Sequence, residues 1–193
     1  MTETPRSTSL EIAVSVHDAA WLDALKDLEE RARLAVSTAL RHAAVAGPLE
    51  VSLVFTDDAE QRGLNRDYRQ RDRATNVLSF PNMDDSSGAG TGPGGPPRLL
   101  GDVVLARETV AGEARTQGKS LADHTAHLLI HGTLHLLGYD HEEAAAAAEM
   151  ETLEIEILAA LGIADPYAEP SAGPSTGPGA DDDGLAVAEA DHG

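Results

Sequence analysis

The run HGTLHLLGYDH, His131 to His141, constrains this chain of 193 residues more than any other stretch. Read as a helix, it places His131 and His135, four residues apart, one above the other on the same face. Gly138 then ends the helix, because a glycine takes the left-handed conformation that closes many helices, and the chain can swing His141 back towards the first two imidazoles. Three imidazoles with an open fourth position form the donor set of a catalytic zinc, which lowers the pKa of its bound water to about 7. Structural zinc usually takes four ligands and prefers cysteine. The chain has no cysteine. Zn2+, one ion per chain, is the expected cofactor, with His131, His135 and His141 as metal ligands. Nickel and copper would also accept three imidazoles. His124 and His127 precede His131 by seven and four residues on the same predicted helix; packing, or a hydrogen bond to a ligand, is their expected role.

The spacing is similar to the zinc helix of the metzincin peptidases, HExxHxxGxxH, except that Gly132 stands where their glutamate does. In those peptidases that glutamate takes a proton from the zinc water, and such general base catalysis is worth about 100- to 10,000-fold. Glycine cannot do this. After His141 the chain also reads as one alanine-rich helix rather than a methionine turn. A zinc peptidase-like hydrolase is thus the weaker reading.

Three further segments accompany the histidines: LNRDYRQRDRATNVLSFP (Leu64 to Pro81), LLGDVVLA (Leu99 to Ala106) and DPY (Asp165 to Tyr167). With HGTLHLLGYDH, in this order and over roughly residues 10 to 167, they resemble the YbeY family of bacterial endoribonucleases. The resemblance implies a zinc-dependent endoribonuclease of the cytoplasm that is selective for single-stranded RNA. It would act in ribosomal RNA maturation, notably at the small-subunit 3′ end, and in ribosome quality control. Its partners would be single-stranded RNA, the ribosomal small subunit or ribosomal proteins. The resemblance also implies that His131, His135 and His141 hold the metal, and that Arg69, with His131, is catalytic. A non-catalytic ribosome assembly factor with a structural metal is the other alternative.

Between Arg62 and Arg73 five arginines (62, 66, 69, 71 and 73) meet two aspartates, Asp67 and Asp72, a local excess of three positive charges. An arginine fork stabilises the charge that builds on a phosphodiester better than a lysine does. A solvated helix face with ordinary ion pairs, such as Arg66 with Asp67, accounts for the same residues. The chain as a whole carries 33 acidic against 14 basic residues, a formal charge of −19. That is unfavourable for sequence-independent RNA binding. The expectation is weak affinity for free RNA, with a larger assembly supplying the contacts. The attacking group stays open between a zinc-bound hydroxide and the ribose 2′-hydroxyl.

The absence of cysteine, together with an N-terminus MTETPRSTSL that lacks the basic start and apolar core of a signal peptide, makes the cytosol the default. No apolar run approaches a membrane span.

The patterning predicts strands at Leu10–Val16, Glu50–Phe55, Asn76–Phe80 and Leu99–Leu105. It predicts a long helix Ala20–Ala46 with Leu22, Leu25, Leu28 and Leu34 among its apolar positions, and a short helix Asp57–Arg69 capped by Thr56. Three helices follow at Arg107–Thr116, Leu121–Leu137 and Glu142–Leu161, the last opened by a capping box of Asp140 and Glu143. Strands first and helices mostly later indicate an α+β fold, a single domain with a small mixed sheet covered by helices and a zinc-binding helix like that of metzincins. The domain is expected over residues 1–167, with a flexible Gly/Pro-rich insertion at 82–98 and a disordered acidic tail at 168–193. Asp102, beside a glycine, reads first as a bulge residue, and Ser79 and Asn76 as edge-strand hydrogen-bonding residues. Met150 is expected in the core, and Tyr139 as a partly buried aromatic past the helix end.

Overall fold

The computed structural model describes residues 9–45, 47–82, 97–141 and 143–168. The insertion expected at 82–98 and the tail expected at 168–193 fall almost wholly outside these residues. The elements run β1 (Leu10–Val16), α1 (Ala20–Ala24), α2 (Leu28–His42), β2 (Leu49–Thr56), α3 (Asp58–Arg69), β3 (Val77–Pro81), β4 (Arg98–Ala106), α4 (Arg107–Thr116), α5 (Leu121–Leu136) and α6 (Ala144–Ala160). The strands form one mixed sheet in the order β1-β2-β4-β3. β1, β2 and β4 are parallel, and β3 runs antiparallel to β4 along one edge. The fold is the expected small α+β domain.

The core is built on alternation. In β2, Leu49, Val51, Leu53 and Phe55 are all buried, as period-two patterning requires of a strand with one face against helices. Phe55 meets Trp21 edge-on at 5.2 Å, and the buried indole finds its partner in the carbonyl of Thr56, at 2.9 Å. α5 is buried on several sides: Leu128, Leu129, Gly132, Thr133, Leu134 and Leu136 all lie inside. It packs against β3 and β4, α2, α4 and α6. A helix hydrophobic all round belongs in the middle of a domain, and this position fixes the histidine helix from every direction but one.

Three expectations need correction. The long helix is two: Leu25 is extended, and Asp27 takes a left-handed φ of 57° that aspartate tolerates better than most residues. The stripe Trp21, Leu25, Leu28, Ala32 keeps helical phase across this break, so periodicity runs straight through it. Leu22 and Leu34 are about half exposed, at 50% and 53%. α3 is capped by Asp57, whose carboxylate accepts from the amide of Glu60 at 2.8 Å, while the Thr56 hydroxyl donates to the Glu60 carboxylate instead. The capping box of Asp140 and Glu143 does not form, because α6 starts only at Ala144, with Glu143 as its N-cap and no side-chain cap.

Candidate metal centre and its surroundings

α5 starts at Ser120, whose hydroxyl accepts from the amide of Asp123 at 3.0 Å. It stops as the sequence demanded. Gly138 takes φ +92°, the Tyr139 amide donates back to the Leu134 carbonyl and the Gly138 amide to that of His135. This paired closure is the Schellman arrangement. The reversal returns His141 to α5, where its ring lies 5.7 Å from that of His131 and 5.1 Å from that of His135. One ring nitrogen from each of the three lies within 4.8 Å of the other two, so the cluster could hold a metal ion.

The hydrogen bonds decide which nitrogens are offered. His131 Nδ1 donates to Glu154 Oε1 at 2.7 Å and His135 Nδ1 to the Tyr139 carbonyl at 2.9 Å. Both protons therefore sit on Nδ1, and the two Nε2 atoms face each other 3.0 Å apart. Two lone pairs at that separation repel unless a cation lies between them. Nitrogens bound at about 2.0–2.1 Å to one tetrahedral zinc are about 3.3 Å apart. Burial is the main cause that pushes His135 down to about 4, so it is neutral near pH 7, the state that ligation needs. Donor set and spacing fit a metal.

Glu154 is the residue that sequence reasoning missed. It projects from α6 with no exposed surface and gathers three donors: His131 on Oε1, and His127 at 3.4 Å and the Tyr167 hydroxyl on Oε2. Desolvation pushes its carboxyl up, but the hydrogen bonds from His127, His131 and Tyr167 outweigh this and hold it at about 2. It is an anion that orients a ligand and raises its basicity. With its oxygens so engaged it is poorly placed to act as a proton acceptor. The signal was present: Met150, Glu154, Ile157 and Leu158 lie on one buried face of α6, and a carboxylate at a core position calls for a partner. Tyr167, from the DPY segment, closes over this carboxylate, and a cleft of about 190 Å³ opens between His131, His141, Met150, Glu154 and Tyr167. A larger cleft, about 330 Å³ and lined by His42, Glu149 and Glu156, includes none of the three histidines.

Gly132 owes its identity to packing. A Cβ there would stand 2.7 Å from Val103 Cγ1 and 3.0 Å from Ser79 Oγ, so the sheet lies directly against the helix where a metzincin would carry its base. Ser79 seals the contact by donating to the Gly132 carbonyl at 3.2 Å. Ser79 is also where Arg69 arrives. β3 turns the backbone of alternate residues towards β4, as the Ala106–Asn76 and Asn82–Leu100 bonds show, so the Ser79 carbonyl faces the open edge. Arg69 donates to it there at 3.1 Å.

The remaining candidates divide. His124 is buried and bonds Glu113 at 2.8 Å, and Glu113 also receives the Asn76 amide at 3.2 and 3.0 Å. Asn76 and His124 thus tie α4, α5 and the start of β3 together, away from the three-histidine cluster. Asp102 is exposed on β4 and pairs in register with Ser52; the bulge lies two residues earlier, at Leu100, between the pairs Glu50–Leu99 and Val51–Gly101. Gly101 is obligatory: with φ +131°, a Cβ would lie 2.1 Å from the Phe80 carbonyl oxygen. Met150 is in the core and Tyr139 is half-buried. Among the described residues no helix is long and apolar enough to cross a membrane.

Fold and site together define a small α+β domain with a histidine cluster built from one buried helix and the turn that closes it. The family described as Endoribonuclease YbeY matches residues 15–162. The Endoribonuclease YbeY of Paramagnetospirillum magneticum is 52% identical over 162 residues, covering 83% of this chain and 98% of that protein. That of Sphingopyxis alaskensis is 52% identical over 167 residues, covering 81% and 98%. A solution structure of TM1509 from Thermotoga maritima aligns with TM-score 0.48 and 21% identity, over 84% of this chain and 99% of that one. The chain belongs to the YbeY family.

Proposed function

We propose that this protein is a metal-dependent endoribonuclease that cleaves single-stranded RNA, with its active domain within residues 1–167. The observation that carries the reading is the pair of Nε2 lone pairs on His131 and His135, 3.0 Å apart with His141 beside them, in a chain whose relatives are named endoribonucleases. Zinc is the metal that three imidazoles and an open position suit; bound there, it would supply a hydroxide near neutral pH or polarise a phosphoryl oxygen. Glu154 keeps the His131 proton on Nδ1, and the Tyr139 carbonyl does the same for His135. Arg69 exchanges its bond to a neutral carbonyl for a phosphate oxygen, a charge-assisted contact of about twice the strength. No side chain at position 132 takes a proton, so the attacking group would be water, activated by the metal that His131, His135 and His141 would hold, or the ribose 2′-hydroxyl. The sequence resemblance adds small-subunit ribosomal RNA 3′-end maturation and ribosome quality control in the cytoplasm as the setting.

The peptidase alternative loses ground on two counts. Gly132 has no room for a base, and Arg69 occupies the edge carbonyl of β3 that an extended peptide would need.

The test is cleavage of a labelled single-stranded RNA by zinc-reconstituted protein, with His131→Ala and Arg69→Ala made by the same preparation. Cleavage by the unaltered chain and its loss in both variants is expected. Equal cleavage by all three would indicate a contaminant, and none by any would favour the assembly-factor alternative. Product ends separate the two routes: a 2′,3′-cyclic phosphate marks the 2′-hydroxyl, and a 5′-phosphate with a 3′-hydroxyl marks water.

A further inference from the structure

We propose that the last turn of α3 is a platform for the RNA strand, on which Tyr68 stacks one unpaired base while the arginines around it take the flanking phosphates. The inference rests on the endoribonuclease reading and adds the place where substrate lies.

Tyr68 is 70% exposed in a chain with only six aromatic residues. Leaving a large side chain in water forgoes the free energy of its burial. Its ring does not swing freely, since it packs on Phe80 of β3 with centroids 5.3 Å apart and planes at 65°. The same window is the chain's basic island. Arg66 and Arg69 share its helical turn, Arg71 and Arg73 follow, and Arg62 precedes. Arg62 pairs with Asp72 at 2.7 and 2.8 Å and Arg66 with Asp67 at 3.0 Å. Both pairs are more than half exposed, and such pairs are held weakly enough for phosphate to replace them. In a molecule of formal charge −19, five arginines within the twelve residues that also carry an exposed aromatic ring complement a polyanion with flat, unpaired bases, which is single-stranded nucleic acid. The platform also connects to the histidines. Arg69 bonds the Ser79 carbonyl and Ser79 bonds the carbonyl of Gly132, the neighbour of His131.

The experiment uses Tyr68→Trp in the full chain. Trp21, the only native tryptophan, has no exposed surface, so an indole at position 68 reports its own surroundings. Saturable quenching on titration with a single-stranded oligoribonucleotide is expected, with little on titration with the matching duplex. In cleavage assays Tyr68→Ala should raise KM by about tenfold with kcat little changed, and Tyr68→Phe should behave as the unaltered chain. Equal quenching by duplex, no quenching at all, or an unchanged KM in Tyr68→Ala beside active native protein would overturn the platform and leave the nuclease reading standing. If the native protein cleaves nothing, the nuclease reading falls, and quenching alone decides whether the platform binds RNA.

Discussion

At position 132 two small free energies oppose each other, and a single methyl group decides the sign. Gly→Ala in a helix interior ordinarily gains about 1 kcal/mol. Here the added carbon would lie 2.7 Å from Val103, and overpacking of this kind costs about 1–3 kcal/mol. Gly132→Ala is therefore expected to lower the melting temperature, and Val103→Ala in the same chain to recover part of the loss. A higher melting temperature in the single variant would show that the sheet yields. Glu154 offers the complementary experiment. Glu154→Gln keeps the volume but removes the anion that receives His131, and the loss of such a partner weakens metal binding about 10- to 100-fold. Competition with a chromogenic chelator measures it, and an unchanged dissociation constant would remove Glu154 from the site.

Among the elements, the turn after β1 is joined to the start of α4 by one ion pair. Asp18 accepts from the Arg107 guanidinium with one oxygen and from the Ala20 amide with the other. The hydrogen bond from Arg107 is the main reason that its carboxyl lies below the usual range. A depressed carboxyl contributes stability that is fully present above its unfolded pKa of about 4 and is lost as pH falls through the folded value. The gap in melting temperature between the native chain and Asp18→Asn should be constant from about pH 6 to 7 and close below about pH 4. A gap that persists at pH 2 would assign the effect to packing. Most elements were legible from periodicity and turn residues. β1 and α4 were read to the residue, and β3 and β4 to within one, the alternation of Leu10–Val16 and the proline at 81 marking two of the strands. The break at Leu25–Asp27 was not, since a bend that preserves helical phase leaves no trace in the pattern. The histidine cluster was readable because its members fall within eleven residues, in one helix and its cap. Glu154 and Tyr167 reach it only through tertiary packing, and spacing along the chain says nothing about that.

For the molecule as a whole, charge sets the terms of any encounter with RNA. The basic island on α3 offers few phosphate contacts against a formal −19, so long-range repulsion opposes association. Binding to naked single-stranded RNA should be no tighter than micromolar at physiological salt. Nanomolar affinity in a filter-binding assay under those conditions would contradict this.

The order of the strands carries a further meaning for how the protein is made. β4 sits between β2 and β3 although it follows both in the chain, so during synthesis β3 has no hydrogen-bonding neighbour until residue 106 has left the exit tunnel. All three histidines, the carboxylate that steers one of them and the tyrosine that covers it come later still. Translation thus delivers the sheet first and the histidine cluster last, so a growing chain holds its scaffold before it holds any of the groups that could bind a metal.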